Sequence, residues 1–334
     1  MLSTTGPEDP MTKPALLITG PMMPLITQQV EPVFELHLLH EAKDTEALLA
    51  RVGPRIEAVC TGGHAGVIID DALMGRLPKL KIIGNFGVGY DSVDAAAAAR
   101  RGIIVTNTPD VLTEEVADTA LGLLLMTVRE LSKAEQWLRA GKWASQGDYP
   151  LTPATLRDRK IGMVGLGRIG KAIARRCEAF GLSISYVARR KKADVTYTYY
   201  ADLVAMARNT DTLIVVTPGG PETKNLIDAP VLEALGTRGI VVNIARGSVV
   251  DERALIKALK ERTIMAAGLD VFWNEPSVDP ELLMLENAVL LPHVGSASVY
   301  TRQAMAQLVV DNLKAYLAKT PPPTPVAETP FKGW

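Results

Sequence analysis

Halfway along a chain of 334 residues, Gly165-Leu166-Gly167-Arg168-Ile169-Gly170 stands between an apolar run, Ile161–Val164, and a helical pattern, Lys171–Phe180. Strand, glycine turn and helix in that order point to a parallel sheet whose strand feeds directly into a covering helix. Each glycine has its own task. Gly165 permits the tight turn, Gly167 lets the main chain approach a pyrophosphate, and Gly170 allows the helix to close on the strand. The phosphates then meet the positive end of the helix. In such a unit the second strand, here Ser183–Val187, should end in an acid that binds the ribose hydroxyls of NAD. Here it runs instead into Ala188-Arg189-Arg190-Lys191-Lys192, with four cations and no carboxylate. A 2′-phosphate suits that tract, so NADP(H) is expected to be preferred, with NAD(H) possible.

Around this unit, short apolar runs alternate with helical patterns. Strands are expected at 15–19, 35–39, 58–60, 81–84 and 103–106, with helices at 45–52 and 93–101 between them. A long helix is expected from Glu114 to about Ala140, with Gly141 as its C-cap. A second series follows, with strands at 160–164, 183–187, 212–216, 240–244, 266–270 and 288–291. Helices at 168–180 and 252–261 belong to that series, and a last helix spans 298–318. Alternation with continuously apolar strands implies parallel sheets covered on both faces. The fold class is therefore α/β, with two doubly wound parallel-sheet domains. Residues 1–12 are polar and punctuated by Pro and Gly, with Met11 as a second possible start. The proline-rich residues 321–334 are expected to run as an extended tail over the surface.

Composition narrows the function. Lys plus Arg number 36 against 37 Asp plus Glu, a net charge of -1, which lacks the basic excess of a nucleic-acid binder. Two cysteines, Cys60 and Cys177, build neither a disulfide framework nor a cysteine-rich zinc site, and no metal is expected. The most apolar stretch, Ala117–Val128, is interrupted by Asp118 and Thr119 and is too short to span a membrane. With no secretory leader, a soluble cytoplasmic protein is expected.

Four histidines are present. His37 and His40 flank Leu38-Leu39, and His64 lies in a glycine-rich turn; a structural role is expected for these three. His293 differs, because it follows the strand AVLLP and precedes a Gly/Ser-rich loop. Arg246 follows IVVNIA and precedes Gly247-Ser248, and Glu275 follows AAGLDV. Carboxyl ends of parallel strands converge on one edge, so these three are candidates to meet there. An Arg fork suits a substrate carboxylate. A Glu beside a His orients the ring and favours its charged form, which can donate a proton to a carbonyl oxygen as hydride arrives.

Several further motifs join these in a fixed order: NFGVGYDSVD at Asn85–Asp94, TPDVLTEEVADTALGLLL at Thr108–Leu125, GMVGLGRIG at Gly162–Gly170, NIARGSVVDERAL at Asn243–Leu255, GLDVFWNEP at Gly268–Pro276 and LPHVGSAS at Leu291–Ser298. Together they resemble the D-isomer-specific 2-hydroxyacid dehydrogenases, strongly over Leu80–Val310. Ala188-Arg189-Arg190 looks like the NADPH-using glyoxylate and hydroxypyruvate reductases among them. The resemblance implies that Arg246 binds and polarises a 2-keto acid, that Glu275 pairs with His293, and that His293 is the acid/base. It places the substrate carboxylate on the backbone of Val88 and Gly89. Arg168 and Ile169 are to contact the pyrophosphate, with Thr217, Pro218 and Thr223 along the cofactor toward the adenosine side. Ala245 and Asp270 are to lie near the nicotinamide.

The family fold implies a flavodoxin-like substrate domain over 13–110, completed by the helix 299–320, and a Rossmann cofactor domain over 111–298, with the active site in a cleft between them. It also implies a homodimer through the cofactor domains, with Trp137 and Trp143 as candidates for the joint or for local packing. Glyoxylate or hydroxypyruvate reduction with NADPH is thus the expected activity. Two rivals stand beside it. One is a reductase of larger aryl pyruvates, with Trp273 and Tyr300 as pocket walls. The other is a dinucleotide-sensing, corepressor-like binding protein that retains the same residues.

Overall fold

In the computed structural model, residues 13–62 and 66–334 are described; the N-terminal twelve residues and His64 lie outside them. The chain forms two compact units. It leaves the first after Val111, builds the second over Leu112–Thr301, and returns to the first from Arg302 to Trp334.

The first unit is a five-stranded sheet of β1 (Ala15–Ile18), β2 (Glu35–Leu38), β3 (Ile56–Gly62), β4 (Ile82–Phe86) and β5 (Ile104–Thr106). The order is β2-β1-β3-β4-β5 with every pair parallel, the flavodoxin-like order. All four residues of β1 are buried because both faces of the sheet are covered. On one face Leu16, Ile18, Cys60 and Ile82 meet Ile26 and Val30 of the helix Pro24–Val30, and Val309, Val310 and Leu313 of the last helix, Val299–Leu317. On the other, Leu17, Val59, Ile83 and Val105 meet Leu49, Val52, Met74 and Ala98. Each Val, Leu, Ile or Met side chain among these contributes roughly 1.5–3 kcal/mol by leaving water. Asp44, Asp70 and Asp94 cap the helices on this second face by accepting the N–H of Ala47, Leu73 and Ala97. A cap of this kind stabilises by about 1 kcal/mol.

The proline-rich C-terminal stretch departs from the expected surface tail. Val326 is buried in the core of the first unit, its N–H donates to the Val105 carbonyl, and the Thr329 hydroxyl accepts the Val105 N–H at 2.9 Å. Pro325 bridges Thr106 in antiparallel sense. The reason is the short β5, which would otherwise leave an open sheet edge.

The second unit is a seven-stranded sheet of β6 (Lys160–Val164), β7 (Ser183–Val187), β8 (Thr198–Tyr200), β9 (Thr212–Val215), β10 (Ile240–Asn243), β11 (Ala266–Leu269) and β12 (Ala288–Leu290). Its order is β12-β11-β10-β9-β6-β7-β8, again with every pair parallel. The edge strand β8 was not expected, because Thr-Tyr-Tyr carries no apolar run. The helix expected over 114–140 is two helices, Thr113–Arg129 and Leu131–Arg139. Between them Glu130 takes a left-handed conformation (φ 49°), its carboxylate held by the Tyr149 hydroxyl at 3.0 Å and by Lys133. The break divides two different surfaces. Thr113–Arg129 buries Val116, Ala120, Leu123 and Leu124, whereas Leu131–Arg139 buries nothing. Gly141, at φ 69°, does end the second helix. No helix among the described residues is long and apolar enough to cross a membrane.

Candidate active site

In the second sheet the direction of crossover reverses at β6, which has β7 on one side and β9 on the other. Ligands of open α/β sheets bind outside the carboxyl ends at such a reversal. Gly165, the first residue after β6, has φ 98°, and its N–H donates to the Val187 carbonyl. A Cβ there would lie 3.1 Å from the main chain of Thr217, just beyond β9. At Gly170 a Cβ would meet the Gly165 carbonyl oxygen at 2.7 Å, so the helix Arg168–Ala179 closes on the loop only because both are glycine. Gly167 has open space where a Cβ would project, and no side chain caps the helix that starts after it. A helix start without a side-chain cap and the bare approach over Gly167 fit a pyrophosphate. Leu166 is buried; Arg168 is exposed and Ile169 partly so.

At the end of β7, Tyr199 donates to the Ala188 carbonyl and the Lys192 N–H donates to the Tyr186 hydroxyl. Arg189 and Arg190 stand exposed beyond it. Asp194, the one acid in this loop, is ion-paired with Lys171, which holds its carboxyl below the usual range. No acid is therefore left at the strand end to meet ribose hydroxyls. On the β9 side, the Thr223 hydroxyl donates to the Pro218 carbonyl at 2.7 Å and closes the loop that carries Thr217.

The remaining candidates occupy the carboxyl ends of the next three strands. After β10, Ala245 is buried and Arg246 half-buried, with Arg246 Nη1 donating to the Ala245 carbonyl at 2.7 Å. Next to it, Gly247 touches the main chain of Phe272 and Trp273 so closely that a Cβ would fall 1.9 Å from the Phe272 carbonyl carbon. The loop bearing Arg246 is thus pressed against the loop bearing Glu275. Glu275 Oε1 accepts the Phe272 N–H at 2.9 Å, while Oε2 lies 2.7 Å from His293 Nδ1. That contact fixes the orientation of the ring. His293 follows β12 with φ 53°, its N–H donating to the Leu291 carbonyl.

Asp270, directly after β11, holds the next turn in place. Its carboxylate accepts the N–H of Val294 at 2.7 Å and of Gly295 at 2.8 Å. Burial pushes this carboxyl above its ordinary range, against those two donors and the His293 ring. The turn is held further by Thr119, which donates to the Gly295 carbonyl, and by Glu115, which accepts the Ser298 N–H. Asp270 was expected for proximity to the nicotinamide; its grip on the His293 turn was not read from the sequence. Asn243 was missed altogether, although a polar residue closing Ile-Val-Val in a buried strand is a visible signal.

Val88 and Gly89 belong to the first unit, in the loop after β4. Asn85 Nδ2 donates to the carbonyls of Gly87 and Gly89, and Asn107 Nδ2 to that of Val88. The Asn85 and Asn107 amides thereby hold the shape of this loop through its carbonyls.

Residues 121–295 match the family described as D-isomer specific 2-hydroxyacid dehydrogenase, NAD binding domain. The chain belongs to the D-isomer-specific 2-hydroxyacid dehydrogenases. It is 45% identical over 311 residues to glyoxylate/hydroxypyruvate reductase A of Arabidopsis thaliana, covering 93% of this chain and 98% of that protein. Hydroxyphenylpyruvate reductase of Plectranthus scutellarioides is 44% identical with the same coverage. Among solved structures, an NADPH-dependent glyoxylate/hydroxypyruvate reductase from Sinorhizobium meliloti, in complex with NADP and malonate, is 51% identical. It superposes with a TM-score of 0.91, covering 96% of this chain and 98% of that one. This dehydrogenase is accordingly an oxidoreductase of small keto and hydroxy acids that uses a nicotinamide dinucleotide, and the glycine loop described above fits that group.

Proposed function

We propose that this dehydrogenase reduces a small 2-keto acid, glyoxylate or hydroxypyruvate, to the D-2-hydroxy acid with NADPH. The observation that carries the reading is the Glu275–His293 contact at 2.7 Å on the strand edge shared with Arg246. When bound, the reduced nicotinamide supplies the hydride. Arg246 holds the keto acid and polarises its carbonyl, and the N–H groups of Val88 and Gly89 take the carboxylate. His293 gives a proton to the carbonyl oxygen, while Glu275 Oε2, 2.7 Å from its Nδ1, holds the ring in place. Gly165, Gly167, Arg168, Ile169 and Gly170 receive the pyrophosphate, and Thr217, Pro218 and Thr223 border the adenosine side. Ala245 and Asp270 adjoin the nicotinamide.

NADPH is favoured over NADH by the exposed Arg189 and Arg190 and by the diversion of Asp194 to Lys171. A second reading, reduction of an aryl pyruvate, is favoured by the identity to hydroxyphenylpyruvate reductase. Initial rates with NADPH and NADH, each paired with glyoxylate, hydroxypyruvate and phenylpyruvate, separate the two. Fast NADPH oxidation with the small acids is the expected result. Preference for phenylpyruvate would move the assignment to the second reading, and preference for NADH would remove the role of Arg189 and Arg190.

The working form in this reading is a homodimer. The helices Leu131–Arg139 and Lys142–Gln146 bury no residue of their own, and Leu131, Leu138, Trp143 and Leu151 are all exposed. An apolar strip of this kind suits burial against a second copy. Both indoles make a local hydrogen bond, Trp137 to the Gly147 carbonyl and Trp143 to Asp148 Oδ1 at 3.1 Å, but Trp137 also stacks edge-on with Tyr149 while the Trp143 ring is 59% exposed, so Trp143 is the stronger candidate for the joint.

A further inference from the structure

We infer that Asn243 is a positioning residue that shapes the backbone carrying Arg246 and thereby sets the grip on the keto acid; this rests on the role proposed for Arg246. Asn243 is the last residue of β10 and is 1% exposed. A buried amide is costly unless its hydrogen bonds are made. Here Oδ1 accepts the Ala245 N–H at 3.0 Å and Nδ2 donates to the Arg246 carbonyl at 2.9 Å. One side chain therefore folds the strand end back on itself, as Asn does in side-chain-closed turns. Arg246 leaves that turn extended, at φ -147° and ψ 146°, with Gly247 then seated on Phe272.

The main chain of Asn243 reaches the other half of the site. Its carbonyl accepts the Asp270 N–H at 2.9 Å, and Asp270 in turn holds the N–H groups that follow His293. The two loops that carry Arg246 and His293 thus share a root at this residue. The amide is chemically specific for the task, because it alone among side chains of this size offers both a carbonyl acceptor and an N–H donor in a fixed plane. An apolar residue would complete the strand equally well and close neither bond. Asp would keep the acceptor for Ala245 and set a second oxygen against the Arg246 carbonyl.

The test is a double-mutant cycle on the full-length enzyme with NADPH and glyoxylate. Asn243→Asp is expected to lower kcat/KM by about 10- to 100-fold, chiefly through KM for the keto acid. NADPH affinity, read by cofactor fluorescence, should stay within about threefold. In an Arg246→Ala background the same substitution should cost less than about threefold, since its target is already gone. A merely structural role would instead give the same cost in both backgrounds, or a parallel loss of NADPH affinity; either result overturns the inference, as does an unchanged kcat/KM. An Arg246→Ala enzyme with wild-type kinetics would refute the role of Arg246, a failure distinct from the others. Should Asn243→Asp not fold, Asn243→Ser replaces it in the same cycle with the same outcomes.

Discussion

Gly247→Ala adds one methyl group at the point where two loops of the site touch. The new Cβ would lie 1.9 Å from the Phe272 carbonyl carbon, 2.1 Å from its oxygen and 2.3 Å from the Trp273 nitrogen. Ordinary contact begins at 3.4 Å, so the Arg246 and Glu275 loops must separate by some 1.5 Å. All three atoms are main chain, so no rotamer change relieves the clash. The Phe272 N–H that must move is the one bonded to Glu275 Oε1, and Arg246 is the adjacent residue on the other side. A displacement of about 1 Å in a catalytic group costs on the order of 100-fold. We therefore expect kcat/KM for the keto acid to fall by about 100-fold or more, with about 1–3 kcal/mol lost from stability through overpacking. NADPH binding should survive, because the glycine loop lies at β6. Initial rates, a cofactor titration and a thermal melt on one preparation separate these effects. A folded Gly247→Ala enzyme with kcat/KM within about threefold of wild type would refute the coupling of the two loops.

Two further outcomes are expected. Trp143→Glu places a charge in the exposed apolar strip and should convert a dimer to a monomer in light scattering after size-exclusion chromatography; a wild-type protein already monomeric would refute the homodimer, and an unaffected dimer would move the joint elsewhere. Burial holds the His37 imidazole below its ordinary value of 6.5, against the pull of Glu35. The unfolded chain therefore takes up this proton at a higher pH than the folded one, and stability falls as the pH drops from about 6.5 through the lowered value. His37→Gln should flatten that fall in Tm measured across mildly acid pH, and an identical slope would contradict it.

Which parts of this molecule were legible in the sequence follows from what each part is made of. The strands of both sheets could be read because both faces are buried and their sequences are continuously apolar, as in Ala15–Ile18 and Ile240–Val242. The dinucleotide loop could be read because sterics, visible as the 2.7 Å approach at Gly170, leave no other residue for it. The pairing of Glu275 with His293 was implied by the family motifs; spacing alone offered only three polar residues at strand ends. What escaped depends on long-range partners. Glu130 breaks a helix through contacts to Tyr149 and Lys133, the C-terminal stretch packs because β5 needs an edge partner, and β8 exists only beside β7. Asn243 sits in a matched motif, yet its function appears only once Ala245 and Arg246 curl around its amide.

His293 as the proton donor is the step on which the proposed NADPH-driven reduction depends. The most direct measurement is the initial rate of NADPH oxidation by His293→Ala with saturating glyoxylate or hydroxypyruvate, alongside NADPH affinity of the same protein. Loss of a general acid predicts a fall of about 10²- to 10⁴-fold in kcat with cofactor affinity retained. Turnover within a few-fold of wild type would show that His293 is not the proton donor, whatever the remaining residues of the site contribute.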